Sequence, residues 1–389
     1  NVELFNFFAN LMELPSTPAN NGTKGVLDAL LVNPPKLEDT GMMTTVPSCA
    51  EEDTSFTCGS KCPSVEFPRS STTTCNRLPN LQVPSSSSTE ALCAVELCGT
   101  SLIFNRRLRK AKMAQSVLEA PSDLGSLVDC RIAVTSISKG MLGNCTGQSA
   151  PSVSLFPKDG RNQYIVDGQF ELDSKFVNGI WKELLNQIRS YRTHYKRLIM
   201  YSGPVYDLDA KGKVLSDDEI LKRYFDLGAL PSQSLLGLRR LHPPTSSWFY
   251  SAAPLDSGAR RASPVPTLLP LRCCPSSFPQ FQRITTAWSS SPTPTHIFVV
   301  LFLCSDGLWS SSGVSCANPS ASQVLAFLLP TIPEDYNCLP PEEYLFQHTS
   351  RVRDIELATG LEFFSDRADF DSATALRLRT ELPEKLWRV

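Results

Sequence analysis

Twenty residues in the middle of the chain, "YSGPVYDLDAKGKVLSDDEI" from Tyr201 to Ile220, carry the residue types and spacing of a calcium-binding loop. Asp207, Asp209 and Gly212 hold the first, third and sixth places, and the backbone carbonyl of Lys213 could serve at the seventh. Calcium takes six to eight oxygen ligands and binds more tightly as ligand charge rises. Lys211 stands at the fifth place, where an oxygen is needed, and Leu215 at the ninth. Two lost oxygens and a gained ammonium weaken binding by orders of magnitude unless Asp217 or Asp218 folds back. The bland alternative is an Asp-rich turn held by side-chain to backbone hydrogen bonds. The stretch reads as the relic of a metal loop, with calcium weak or lost.

Other chemistry-bearing residues are scattered. The four histidines, His194, His242, His296 and His348, lie far apart, which argues against a Cys/His metal site. His194 falls at a Tyr/Arg-rich helix end, His296 opens an apolar strand and His348 falls inside a helical stretch, so these three read as structural. Cys58-x3-Cys62 has no second matching pair nearby, so a zinc knuckle is set aside. The thirteen cysteines spread along the chain suit a disulfide framework in an oxidising compartment. Asn21-Gly22-Thr23 and Asn144-Cys145-Thr146 are glycosylation sequons, which accords with a secreted or ectodomain context.

These residues must be positioned by ordinary elements. "KFVNGIWKELLNQIRSYRTHY" places Phe176, Ile180, Leu184, Ile188 and Tyr195 on one helical face, broadened by Trp181 and Leu185. "RLIMYSGPVYD" is a short strand that delivers Asp207 and Asp209 onto a turn. "THIFVVLFLC" and "VLAFLLP" are short, apolar and bounded by breakers, hence buried strands. "PEEYLFQHTSRVRDIELATG" reads as one helix with acids at its start and Gly360 as its stop. On it, Arg351/Asp354 and Arg353/Glu356 sit at turn spacing and solvate the outer face. Helices mixed with separated strands give an α+β domain.

The net charge of −2 offers no bulk attraction for nucleic acid. The longest apolar run, Ile297 to Cys304, is too short to cross a bilayer. Residues 1–14 form an amphipathic helix whose partners are expected upstream, and a chain that opens at Asn1 inside that pattern reads as a piece of something longer. The expected division is a tail at 1–35, a Cys/Ser/Pro-rich linker at 36–90 and a main domain at 91–389. Within the last, 229–292 is crowded with Ser, Pro, Arg and Leu and shows no period. It reads as a disordered insertion or, preferably, as translated intron.

"NVELFNFFANLMEL" with "PANNGTKGVLDALLVNP", then "SGPVYDLDAKG", "PTHIFVVLFLCSDG", "LAFLLPTIPEDYNC" and "TSRVRDIELATGLEFF", resemble the ectonucleotide pyrophosphatase/phosphodiesterase family in order as well as in kind. The first strings resemble the close of that family's α/β phosphodiesterase domain and the rest its C-terminal nuclease-like domain. The likeness implies a DNA/RNA non-specific endonuclease-like fold, a mixed sheet with flanking helices. In the family, two zinc ions held by Asp and His and a Thr nucleophile cleave a phosphodiester. All those ligands precede the equivalent of Asn1, so the resemblance assigns none to this chain.

The resemblance further implies that the upstream phosphodiesterase domain is the partner and that the whole is extracellular. Nucleases of this fold need an Asp-Arg-Gly-His motif, and no histidine here follows Asp-Arg-Gly. A non-catalytic supporting domain is therefore the expected role. A metal-dependent endonuclease or a nucleic-acid-binding module is the alternative. The family's loop binds calcium through oxygens at the first, third, fifth and ninth places, two of which are lost here. Cys304 and Cys316 resemble a local family disulfide. Cys130 and Cys145 join the network with each other or with linker cysteines, and Cys338 resembles the cysteine that tethers the two domains.

Overall fold

The computed structural model describes residues 7–8, 11–12, 43–49, 56–58, 82–84, 91–119, 131–135, 151–156, 165–208, 212–229, 292–311, 313–332, 339–364 and 370–389. Its centre is a seven-stranded sheet. The strands are β1 (Leu92–Leu97), β2 (Thr100–Asn105), β3 (Lys110–Leu118), β4 (Leu198–Val205), β5 (His296–Cys304), β6 (Ser322–Pro330) and β7 (Thr349–Ser350). They lie side by side in chain order, each antiparallel to the next. The sheet is thus an antiparallel meander and not the mixed sheet expected from the resemblance. The α+β class stands.

Helices cover both faces. On one side α1 (Ile180–Tyr195) sets Trp181, Leu184, Ile188 and Tyr191 against Leu198 and Met200 of β4, Val299 and Leu301 of β5 and Phe327 of β6. On the other, α4 (Val352–Thr359) and α5 (Ser372–Thr380) pack Val352, Ile355 and Leu378 with Phe298, Val300 and Phe302 of β5. A strand buried on both faces needs apolar side chains at every position. That is why "HIFVVLFLC" is continuous, and all its residues after His296 are buried. Gly203 is fixed by close approach: a Cβ there would lie 2.5 Å from the Lys112 carbonyl oxygen and 2.6 Å from the Phe298 ring.

Residues 341–360 depart from the single helix expected. They form α3 (Pro341–Gln347), the short β7 and then α4. The two β7 residues pair with Phe327 and Ala326 of β6, so edge pairing interrupts the helical run. Gly360 does end α4, with φ +66°. Arg351 pairs with Asp354 on the surface, as expected. Glu356 differs. It is 3% exposed and accepts from Arg379 Nε and Nη2 of α5 at 2.9 and 2.8 Å, and from the Phe363 backbone N–H at 2.9 Å. Arg353 joins it at 3.1 Å from one side. Glu356 locks α4 to α5 and does not solvate an outer face.

Among the described residues the frame also includes α2 (Asp217–Ala229) after the Asp207 loop, α3 before β7 and a short helix at Ser174–Asn178 just ahead of α1. The tail helix is described only at Phe7, Phe8, Leu11 and Met12, where one helical hydrogen bond joins Met12 N–H to Phe8 O at 2.9 Å. The linker boundaries and the 229–292 insertion fall almost wholly outside the described residues.

Candidate functional site

The Asp207 loop begins where β4 ends. The Asp207 N–H donates to Thr295 Oγ1 at 2.9 Å, and that hydroxyl donates to the Val205 carbonyl at 3.0 Å. The Gly212 N–H lies 3.2 Å from each Asp207 carboxylate oxygen, with Gly212 at φ +63°. The carboxylate therefore closes the loop onto the Gly212 N–H, five residues on. Lys213 is exposed, and Val214 N–H donates to Leu357 O of α4 at 2.8 Å. Asp209 and Lys211 lie outside the described residues.

The two acids that could have folded back are engaged elsewhere. Asp217 accepts from Asn105 Nδ2 at 2.9 Å to each oxygen, and Asp218 pairs with Arg107. Among the described residues no group of three or more His, Cys, Asp or Glu is placed to hold a metal. Between residues 207 and 215, Asp207 is the one carboxylate among the described residues.

Sequence reasoning missed that Asp207, His296 and His348 come to one corner. His296 opens β5 opposite Val205, with Nδ1 3.1 Å from Thr295 Oγ1. Burial holds its pKa below the ordinary value, Asp207 opposes that, and His348 adds to it. His348 is not inside a helix as expected but ends α3. Its Nδ1 lies 2.8 Å from Tyr344 O and its ring stacks on Tyr344 at 4.2 Å. Burial lowers its pKa too. His194 is exposed on α1, against Tyr195, and His242 lies outside the described residues. Both corner rings favour their neutral forms and are held by local contacts.

Beside the Asp207 loop lies a small cavity of about 40 Å³, lined among others by Asn105, Lys112, Tyr206, Leu215, Asp217 and Ile220. Asn105 Oδ1 accepts the Arg107 and Leu108 N–H groups at 2.9 and 3.0 Å, which shapes the β2–β3 turn. Ser216 and Glu219 cap α2 reciprocally, Ser216 N–H to Glu219 Oε2 at 2.9 Å and Glu219 N–H to Ser216 Oγ at 3.3 Å. Burial lowers the Lys112 pKa, and Asp217 partly restores it. Burial, then Asp217, pushes the Tyr206 phenol well above its ordinary range, so it keeps its proton. Of the cavity residues, only Leu215 and Asp217 were singled out from sequence. The available signal was two lysines, Lys110 and Lys112, at alternate positions of β3.

Disulfides brace the frame. Cys304 and Cys316 are bonded, as the resemblance implies, with Cα atoms 5.4 Å apart. Cys49 is bonded to Cys93, which ties the linker to β1, and Cys98 is also disulfide-bonded. Cys130, Cys145 and Cys338, with the sequon residues Asn21 and Asn144, lie outside the described residues. No helix among the described residues is long and apolar enough to cross a membrane.

No model of a known protein family matches the chain. Curated proteins do match, over about 100 residues. Venom phosphodiesterase of Naja atra is 42% identical over 100 residues, 24% of this chain and 12% of its own length. Ectonucleotide pyrophosphatase/phosphodiesterase family member 3 of Bos taurus is 37% identical over 103 residues, 24% of this chain and 11% of its own. Family member 1 of Rattus norvegicus is 40% identical over 98 residues, 23% and 10%. The likeness to this family is thus real over one segment, and the chain spans about a tenth of the length of these relatives.

Proposed function

We propose that this chain is a nuclease-like part of an extracellular nucleotide pyrophosphatase/phosphodiesterase. It performs no chemistry of its own and braces a zinc-dependent phosphodiesterase domain that precedes it in the whole protein. One observation carries the reading. The strings that resemble consecutive motifs of the family fold as consecutive neighbours, β4, β5, β6, β7 and α4, in one block around a shared core. Disulfides suit an oxidising compartment, as an extracellular location requires. Zinc would lower the pKa of bound water and stabilise phosphoryl charge in the preceding domain, with no residue here assigned to it. Calcium at Asp207, Asp209 and the Lys213 carbonyl is weak or lost, and Asn21 and Asn144 carry glycans.

A metal-dependent endonuclease is the second reading, favoured by the corner that gathers Asp207, His296 and His348. Against it, the Asp207 carboxylate is engaged with Gly212 N–H and His348 Nδ1 with a backbone carbonyl. Fusing a family phosphodiesterase domain ahead of Asn1 tests the first reading. The fusion should hydrolyse a nucleotide phosphodiester only with zinc, and should lose stability when 91–389 is removed. A fusion whose activity and melting midpoint are unchanged by that removal would contradict it.

A further inference from the structure

We infer that the β2–β3 turn, residues 106–109, is a docking surface for a sulfated polysaccharide, which it holds through Arg106, Arg107 and Arg109. The turn, "RRLR", joins Asn105 and Lys110, and all three of its arginines are exposed. Asn105 and Lys110 are antiparallel partners, which sets the ends of the turn within about 5.5 Å and confines the three cations to one patch. A short run so rich in arginine is the kind of sequence that forms heparin or nucleic-acid patches. The side chains of Arg106 and Arg109 form no hydrogen bond or ion pair among the described residues. Arg107 pairs with Asp218, with the two side chains 52% and 69% exposed. An exposed pair of that kind contributes little, so a polyanion can compete for Arg107. Arg109 has φ +54°, which Gly or Asn adopts more readily, so a cation stands where the backbone favours another residue.

The turn is held in shape before any partner arrives. Asn105 Oδ1 accepts the Arg107 and Leu108 N–H groups, and Leu108 is buried against Tyr206 and Ile220. Binding there orders little new backbone. The neighbouring acids are engaged: Asp217 receives the Asn105 amide, Asp218 meets Arg107, and Glu219 caps Ser216. Lys222, exposed one helical turn beyond Asp218, adds positive charge. The composition of the patch selects among polyanions. Single-stranded nucleic acid is gripped by aromatic side chains that stack on its bases, but the turn has none and Tyr206 is buried. A lipid surface is held by apolar side chains that insert, but Leu108, the turn's one apolar residue, is 6% exposed. A polyanion recognised by charge alone fits best. The disulfides suit the oxidising compartment in which sulfated polysaccharides occur.

The test is titration of the full chain with heparin, beside a duplex oligonucleotide and phosphatidylserine vesicles at the same ionic strength. Heparin should bind more tightly than either. Arg106→Gln with Arg109→Gly should weaken heparin binding about tenfold or more and reduce the slope of log affinity on log salt by about two, one for each lost charge. Gly suits the positive φ at position 109, so the thermal midpoint of this variant should equal or exceed the parent's, which separates lost binding from lost folding. Lys385→Gln with Arg388→Gln removes the same charge from an exposed segment after α5. That control should keep heparin affinity within about twofold, because charges beyond a Debye length are screened. No binding to heparin, or equal losses in the two double variants, would overturn the assignment. Tighter binding to the oligonucleotide or the vesicles, lost in Arg106→Gln with Arg109→Gly, would identify a different polyanion as the partner and overturn it as well.

Discussion

The loop leaving β4 and the loop leaving β5 emerge at opposite ends of the same antiparallel strand pair, and different forces hold them. The β5 loop is closed covalently by Cys304–Cys316. Inside it Trp309 packs on Phe302 at 5.8 Å, and Arg197 reaches across to stack on Trp309 at 4.9 Å and donate to Gly313 O at 3.0 Å. The β4 loop has no covalent closure among the described residues. It depends on the Asp207 carboxylate at one end and on α4, through Val214 and Leu357, at the other. A covalent ring keeps its shape whatever its neighbours do, whereas a loop resting on a helix is as secure as that helix's seat. The candidate metal residues and the small cavity both lie at the second kind of loop.

The largest expected effect tests that dependence. Glu356→Ala strands Arg379 in the core and should cost about 3–5 kcal/mol in urea unfolding. Hydrogen exchange at the Val214 amide should accelerate, while amides within 304–316 stay protected. Equal loss at both loops would break the distinction. Next, Cys304→Ser with Cys316→Ser should cost about 3 kcal/mol, the loop-closure value for a bridge of this span. That change should leave the Val214 amide protected. Asp207→Ala removes one partly buried hydrogen-bond acceptor and should cost about 1 kcal/mol, felt at Gly212 and not at Trp309.

The smallest effect is a dependence on acid. His296 and His348 have pKa values lowered by burial, so between their folded and unfolded values the unfolded chain binds more protons. Stability is then complete above about pH 6.5, the ordinary histidine value, and falls as pH drops below it. The urea midpoint should decline from pH 7 to pH 5.5, and His296→Gln with His348→Gln should flatten the decline. A midpoint that rises on acidification would contradict the burial of these rings.

What the sequence disclosed follows the range of the forces involved. β5, β6 and α1 were legible because a strand buried on both faces, or a helix with one apolar stripe, writes its environment into contiguous residues. β1 to β3 were not. They bury Lys110, Gln115 and Ser116, whose polar side chains interrupt the apolar signal. Glu356 was misjudged because Arg353, three residues away, is visible in sequence, whereas Arg379 is twenty-three away and reaches it only through packing. The interruption of residues 341–360 by β7 had the same origin, since a two-residue strand is made by its neighbour β6. The Asp207 turn was half legible. Asp207 and Gly212 were picked out by residue type and spacing, but the engagement of Asp217 and Asp218 by the β2–β3 turn was not.

The central claim is that this chain supports phosphodiester chemistry without carrying it out. The most direct measurement is the release of nitrophenol from a nitrophenyl nucleotide diester, together with nicking of supercoiled plasmid, by the purified chain supplied with zinc, magnesium or calcium. The account expects rates equal to buffer with each metal. Metal-dependent turnover that copurifies with the chain and vanishes in His296→Ala or His348→Ala would contradict it.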